Sequence, residues 1–164
     1  MAEEGVDAVR IEALARRLKV TKGGFYGHYR DRQALLDAVV VRWEERGTEE
    51  VIRDVEAAAQ TAEARAEALW SLATRDDFRV ELAIRDWARR DEQVREAVAR
   101  VDRRRMAYLR DLFGDLGFKG IDREGRCLLV YSLLIGDHFI ASDSRRYSRH
   151  GVLEACRRVV GADR

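Results

Sequence analysis

The stretch Ile11–Arg32, IEALARRLKVTKGGFYGHYRDR, constrains the fold more than any other part of the chain. Ile11, Leu14, Ala15 and Leu18 recur at three- and four-residue steps, the spacing of an amphipathic helix. The pattern breaks at Lys19-Val20. Thr21 then stands where a helix N-cap belongs, because its hydroxyl can accept from the free N–H groups of the next turn. The helix that follows is short, about Lys22 to Tyr29, and only Phe25 and Tyr29 share its buried face. Its other face carries Lys22, Gly23, Gly24, Tyr26, Gly27 and His28. Each glycine costs a helix about 1 kcal/mol in propensity. A segment so weak must be held by its neighbours, and in return it gains close approach to another surface. A helix, a tight turn and a second helix with a small, basic, hydroxyl-bearing face form the layout of a helix-turn-helix DNA reader.

Charge supports that reading. The whole chain carries +1, which by itself favours no partner. Between Arg10 and Arg32, however, seven positive residues (Arg10, Arg16, Arg17, Lys19, Lys22, Arg30, Arg32) face two negative ones (Glu12, Asp31), and the rest of the chain is net negative. Most charge runs are solvated helix faces. Joined to a helix-turn-helix pattern, a basic patch on a near-neutral chain is the footprint of a reader of phosphate backbones.

The remaining 132 residues beyond Arg32 belong to a helical protein. No proline occurs anywhere, where average composition would supply about 5%, and alternating Val-rich runs bounded by turns are missing. A helix from Asp31 presents Leu35, Leu36, Val39, Val40 and Trp43, and Arg46-Gly47-Thr48 reads as a break or kink, with helix resuming over Thr48–Ala59. Further helices are expected over Ala62–Thr74, after a cap at Asp76 or Asp77, over Asp91–Leu116, over Asp122–Ser142 and over Gly151–Val160. Leu128–Gly136 is apolar almost all round, so it must be covered on every side, by the core or by a second copy of the chain. Cys127 and Cys156 lie in apolar helical patterns without CxxC spacing, which reads as two free thiols. No apolar run has the length of a membrane span, no signal peptide is visible, and a cytoplasmic location is expected.

Catalysis has little support. His28, His138 and His150 lie far apart, without metal-ligand spacing to a Cys, Asp or Glu cluster, and Asp137-His138 are adjacent and so do not share a helix face. No GxSxG, P-loop or dinucleotide fingerprint is present, so neither an enzyme nor a cofactor or metal is expected. Trp70, Phe78, Trp87, Tyr108, Phe113 and Tyr131, together with His138, read first as core residues at helical spacing and second as the lining of a ligand pocket.

At GVDAVRIEALARRLKVTKGGFYGHYRDRQALLDAVVVRWEE the chain closely resembles the TetR family of one-component bacterial transcriptional regulators. The resemblance includes Phe25-Tyr26-x-His28 at the end of the recognition helix and the Arg30-Asp31-Arg32-x-Ala34-Leu35-Leu36 entry into the next. It is specific over residues 5–45; beyond residue 78 only the pattern is similar, as in FRVELAIRDWARRDEQV and YLRDLF. Lys19 departs from it, standing where the family's turn usually has glycine. The resemblance also implies a further helix ahead of the Glu4-Gly5-Val6-Asp7 run. Without that helix, Ile11, Leu14, Leu18, Phe25 and Leu36 would lose cover and the head would be mobile.

The resemblance implies an all-α chain with a helix-turn-helix DNA-binding domain over residues 1–47 and a helical effector-binding and dimerisation domain over 48–164. It assigns DNA contacts to Thr21, Lys22, Gly23, Gly24, Tyr26 and His28, and a phosphate contact to Arg32. It further implies a homodimer joined through about 122–142 and 151–160, and a repressor that a small molecule releases from a near-palindromic operator. The pocket for that molecule falls to the aromatic set above. The alternative is a dimeric ligand-binding or interaction protein whose head is incomplete and inactive.

Overall fold

The computed structural model describes residues 5–75, 78–140 and 146–161. Every regular element among them is helical: a 3-10 turn (Val6–Ala8), then α1 (Ile11–Leu18), α2 (Lys22–His28) and α3 (Arg32–Glu44). They are followed by α4 (Val51–Ala58), α5 (Ala62–Arg75), α6 (Arg79–Trp87), α7 (Glu92–Asp115), α8 (Gly120–Gly136) and α9 (Arg149–Gly161). Two compact units are formed, and neither is contiguous in sequence. One comprises the described residues of Met1–Glu50 and Asp77–Asp102, the other those of Val51–Asp76 and Arg103–Arg164. The expected boundary after residue 47 falls inside a helical stretch. The structure moves α6 and the first part of α7, expected in the second domain, into the unit that holds the head.

The helix ends follow from local chemistry. α1 stops because Lys19 turns left-handed (φ 56, ψ 34), allowing the Val20 N–H to reach back to Ala15 O at 3.0 Å. A non-glycine residue there costs about 1–2 kcal/mol. The Thr21 hydroxyl caps α2 by accepting from Gly24 N at 2.9 Å, and Asp31 caps α3 by accepting from Ala34 N at 2.8 Å. Asp91 and Ser148 serve α7 and α9 in the same way. The expected cap at Asp76 or Asp77 lies outside the described residues. Where the sequence suggests a break or kink at Arg46-Gly47-Thr48, Glu45–Glu50 is π-helical, a local widening of the helix, and Thr48 is buried. The eighth helix ends at Gly136, and Ser142, its expected end, also lies outside the described residues.

The first unit packs Leu36, Val40 and Trp43 of α3 against Ile84, Trp87 and Ala88 and against Val94, Ala97 and Val101 of α7, with Val6 at the edge. Polar groups are buried with them. Glu81 accepts from Trp43 Nε1 at 2.9 Å and from Arg85 Nε at 2.7 Å, and Arg85 also grips Asp102 at 2.6 Å. In the second unit, Leu109, Phe113, Cys127, Val130 and Val160 form one cluster and Val55, Tyr108 and Leu112 another. Two long-range bonds fasten that unit: Tyr108 OH donates to Glu56 at 2.7 Å and Trp70 Nε1 to Glu154 at 2.8 Å.

Candidate nucleic-acid interface

α1 and α2 pack through their apolar stripes, burying Ile11, Ala15 and Phe25, with Tyr29 half-buried and tilted against the Phe25 ring at 5.5 Å. That leaves Thr21, Lys22, Gly23, Gly24, Tyr26, Gly27 and His28 exposed along one side of a seven-residue helix. Arg10, Arg16, Arg17, Lys19 and Arg30 are also exposed. Sequence and structure thus agree on which side chains face outward together. Tyr26 is 44% exposed, and its ring meets that of Phe25 in a T-shaped contact at 5.8 Å.

The glycines are informative because nothing inside the molecule demands them. A Cβ at Gly27 would meet no atom within 4 Å, and one at Gly23 would reach only Thr21 Oγ1 at 4.0 Å. Gly24 is tighter, at 3.2 Å from the same hydroxyl, whose bond it completes. An alanine at Gly23 or Gly27 would fit the fold and favour the helix. Internal packing therefore does not require glycine at Gly23 or Gly27.

Two residues behave otherwise than their sequence positions suggest. Arg32, expected on a phosphate, turns inward: Nε donates to Val9 O at 2.8 Å and Nη2 to Val6 O at 2.7 Å. Its guanidinium clasps the N-terminal turn to the start of α3, a role invisible in sequence because the partners lie 23 and 26 positions away. Lys22 is paired with Glu12 of α1 at 2.9 Å, a partner absent from the expected site. The signal for Glu12 was present as the one acidic residue within the basic α1.

The aromatic set is divided between the two units. Trp87 is a core residue of the first unit, and Phe78 belongs to that unit too. Tyr108 and Phe113 fall in different clusters of the second. Trp70 is buried and bonded to Glu154, while Tyr131 packs beside Phe113 with its hydroxyl 3.4 Å from Arg105. His138 directs Nδ1 to Leu134 O at 3.1 Å. The second unit does hold a groove of about 770 Å³ elsewhere, lined by α8 and α9 with Leu129, Leu133, Val152, Cys156 and Val159 and edged by Arg146 and Arg158. None of the expected pocket residues lines it.

Among the described residues no group of His, Cys, Asp or Glu is arranged to hold a metal, and no helix is long and apolar enough to cross a membrane. The capped, basic, low-profile second helix defines a helix-turn-helix DNA-binding protein. Residues 1–39 match the family described as bacterial regulatory proteins, tetR family. The fold is similar to that of Salmonella enterica GusR, with a TM-score of 0.69 over 97% of this chain and 86% of that one, at 18% identity. No curated protein sequence matches the chain.

Proposed function

We propose that this TetR-family DNA-binding regulator is a homodimeric cytoplasmic repressor that reads a near-palindromic operator through α2 and leaves it when a small molecule binds the second unit. The exposed face of α2 carries the reading, since it combines open glycines, a basic surround and the exposed Tyr26. Thr21, Lys22, Gly23, Gly24, Tyr26 and His28 touch the duplex in this reading, and Arg32 holds the head together behind them. Base-edge contacts from this face would set sequence preference, while Arg16, Arg17 and Arg30 would meet phosphates and set affinity.

Dimerisation is supported by apolar surface that one chain leaves uncovered: Leu128 and Leu129 are each 60% exposed and Val159 76%. They stand on α8 and α9, the pair that the family resemblance assigns to the seam. Effector release rests on that resemblance and on the helical second unit. The test is enrichment of duplexes from a random-sequence library by the full chain, followed by binding of the enriched duplex to a Tyr26→Ala/Lys22→Ala variant. Loss of preference supports the reading, and unchanged affinity overturns the assignment of this face.

A further inference from the structure

Lys22 is held by a carboxylate before any partner arrives. Its Nζ lies 2.9 Å from Oε1 of Glu12, with the two side chains 60% and 65% exposed. An ion pair so open to water contributes little to folding. What it changes is where charge stands on the reading face. The hydrogen bond from Lys22 holds the Glu12 carboxyl below the ordinary carboxylate range, and the same bond raises the Lys22 ammonium. Both are therefore charged at neutral pH.

A lysine is a point charge on a flexible stem, so beside a polyanion an untethered one goes readily to a phosphate. Bases offer different chemistry: guanine presents two acceptors in the major groove, while cytosine and adenine present amino donors that a carboxylate can accept. We propose that Glu12 is a specificity-determining residue, which withholds the Lys22 ammonium from the phosphate backbone and reserves it for a base edge. Glu12 itself repels phosphate oxygens, so the pair disfavours an approach to the backbone and tolerates one to the groove floor. This inference rests on the reading of α1 and α2 as the DNA-contacting head.

Two substitutions separate tethering from simple charge. Glu12→Gln removes the carboxylate charge and weakens the tether. Glu12→Asp keeps the charge but is one methylene too short to hold Lys22 in its present position. Both are exposed changes that leave the packing of Ile11 and Ala15 intact. The full chain is titrated by fluorescence anisotropy, over a series of KCl concentrations, against a duplex enriched from a random library by the wild-type protein and an unrelated duplex of equal length.

In Glu12→Gln, binding to the unrelated duplex should strengthen and its log–log salt slope should steepen by about one per head, the release of one further counterion. The enriched-to-unrelated affinity ratio should fall about tenfold, the loss of one base contact. Glu12→Asp should lose the ratio as Glu12→Gln does, and adding Lys22→Ala to Glu12→Gln should abolish the extra slope. The proposal is overturned if Glu12→Gln keeps the wild-type ratio and slope while Lys22→Ala alone weakens binding, because the DNA reading then survives without it. It is overturned as well if Glu12→Asp matches wild type. Failure of the wild-type chain to enrich or bind any duplex would remove the DNA reading and this inference together.

Discussion

Arg32 and Gly23 show how two residues of one motif divide between building the head and presenting it. Arg32 donates two charge-assisted bonds to the carbonyls of Val6 and Val9, and such bonds contribute about 1.5–3 kcal/mol each. Arg32→Ala removes both and should therefore lower the unfolding free energy of the head by up to about 3–6 kcal/mol, with the salt slope of DNA binding unchanged. A phosphate contact would give the opposite pair of results: unaltered stability in urea and a slope shallower by about one. Gly23 is the complement. With its Cβ position open, Gly23→Ala should stabilise the head by roughly 0.4–1 kcal/mol while weakening duplex binding, since the methyl stands on the approach face. Urea unfolding and anisotropy on the same preparations decide both, and a Gly23→Ala head that is stabilised and binds as before would show that this glycine faces away from the groove.

At the scale of elements, charged side chains inside each unit fasten one helix to another. In the first unit Glu81, 6% exposed, joins Trp43 of α3 to Arg85 and through it to Asp102 of α7. Glu81→Ala removes the shared acceptor from a buried ionic network, a change that costs about 3–5 kcal/mol, whereas Trp43→Phe keeps that acceptor for Arg85 and should cost less, about 1 kcal/mol for the lost hydrogen bond plus the void left by the smaller ring. Chemical denaturation separates the two. In the second unit Tyr108 of α7 donates to Glu56 of α4, and that bond is the main reason the Glu56 carboxyl sits below its ordinary value. A depressed carboxyl stabilises the fold fully above its unfolded-state value, and the contribution is lost as pH falls through the depressed one. Tyr108→Phe should raise the Glu56 midpoint in an NMR titration and weaken the unit at neutral pH. The turn at Lys19, the Thr21 cap and the register of α1 to α3 were legible in the sequence because they depend on neighbours three or four residues away. The Glu81 network was not, because Glu81 and Arg85 at i, i+4 look like any solvated pair until α3 packs over them. The π-helical run at Glu45–Glu50 escaped for a related reason, since Gly47 signals a break and only the fold shows Thr48 buried within a helical run. The aromatic residues share helical spacing whichever core they fill, so sequence alone could not sort Trp87 from Phe113.

For the molecule as a whole, the proposed seam on the uncovered surface of α8 and α9 would set how the protein meets DNA. Leu129 and Val159 are largely exposed and line one groove with Leu133 and Val152, and a contiguous apolar surface of this kind marks an interaction site. Burial of each such side chain stabilises an interface by up to about 1.5–3 kcal/mol, and a two-fold seam counts every residue twice. Leu129→Glu should therefore convert the dimer to monomers in sedimentation velocity at micromolar concentration. Val159→Glu, at a position 76% exposed in the single chain, provides the same test with little hazard to the fold. The consequence on DNA follows from linkage rather than from the head. Two coupled heads bind two half-sites as one intramolecular event, and uncoupling typically costs 10²–10⁴-fold in affinity without the loss of any contact. Monomeric variants should accordingly lose affinity on that order for a two-half-site duplex, yet bind a single half-site as tightly per head as wild type does. A wild-type chain that sediments as a monomer, or a Val159→Glu variant that remains dimeric and binds the paired site unchanged, would place the covering partner of this face elsewhere.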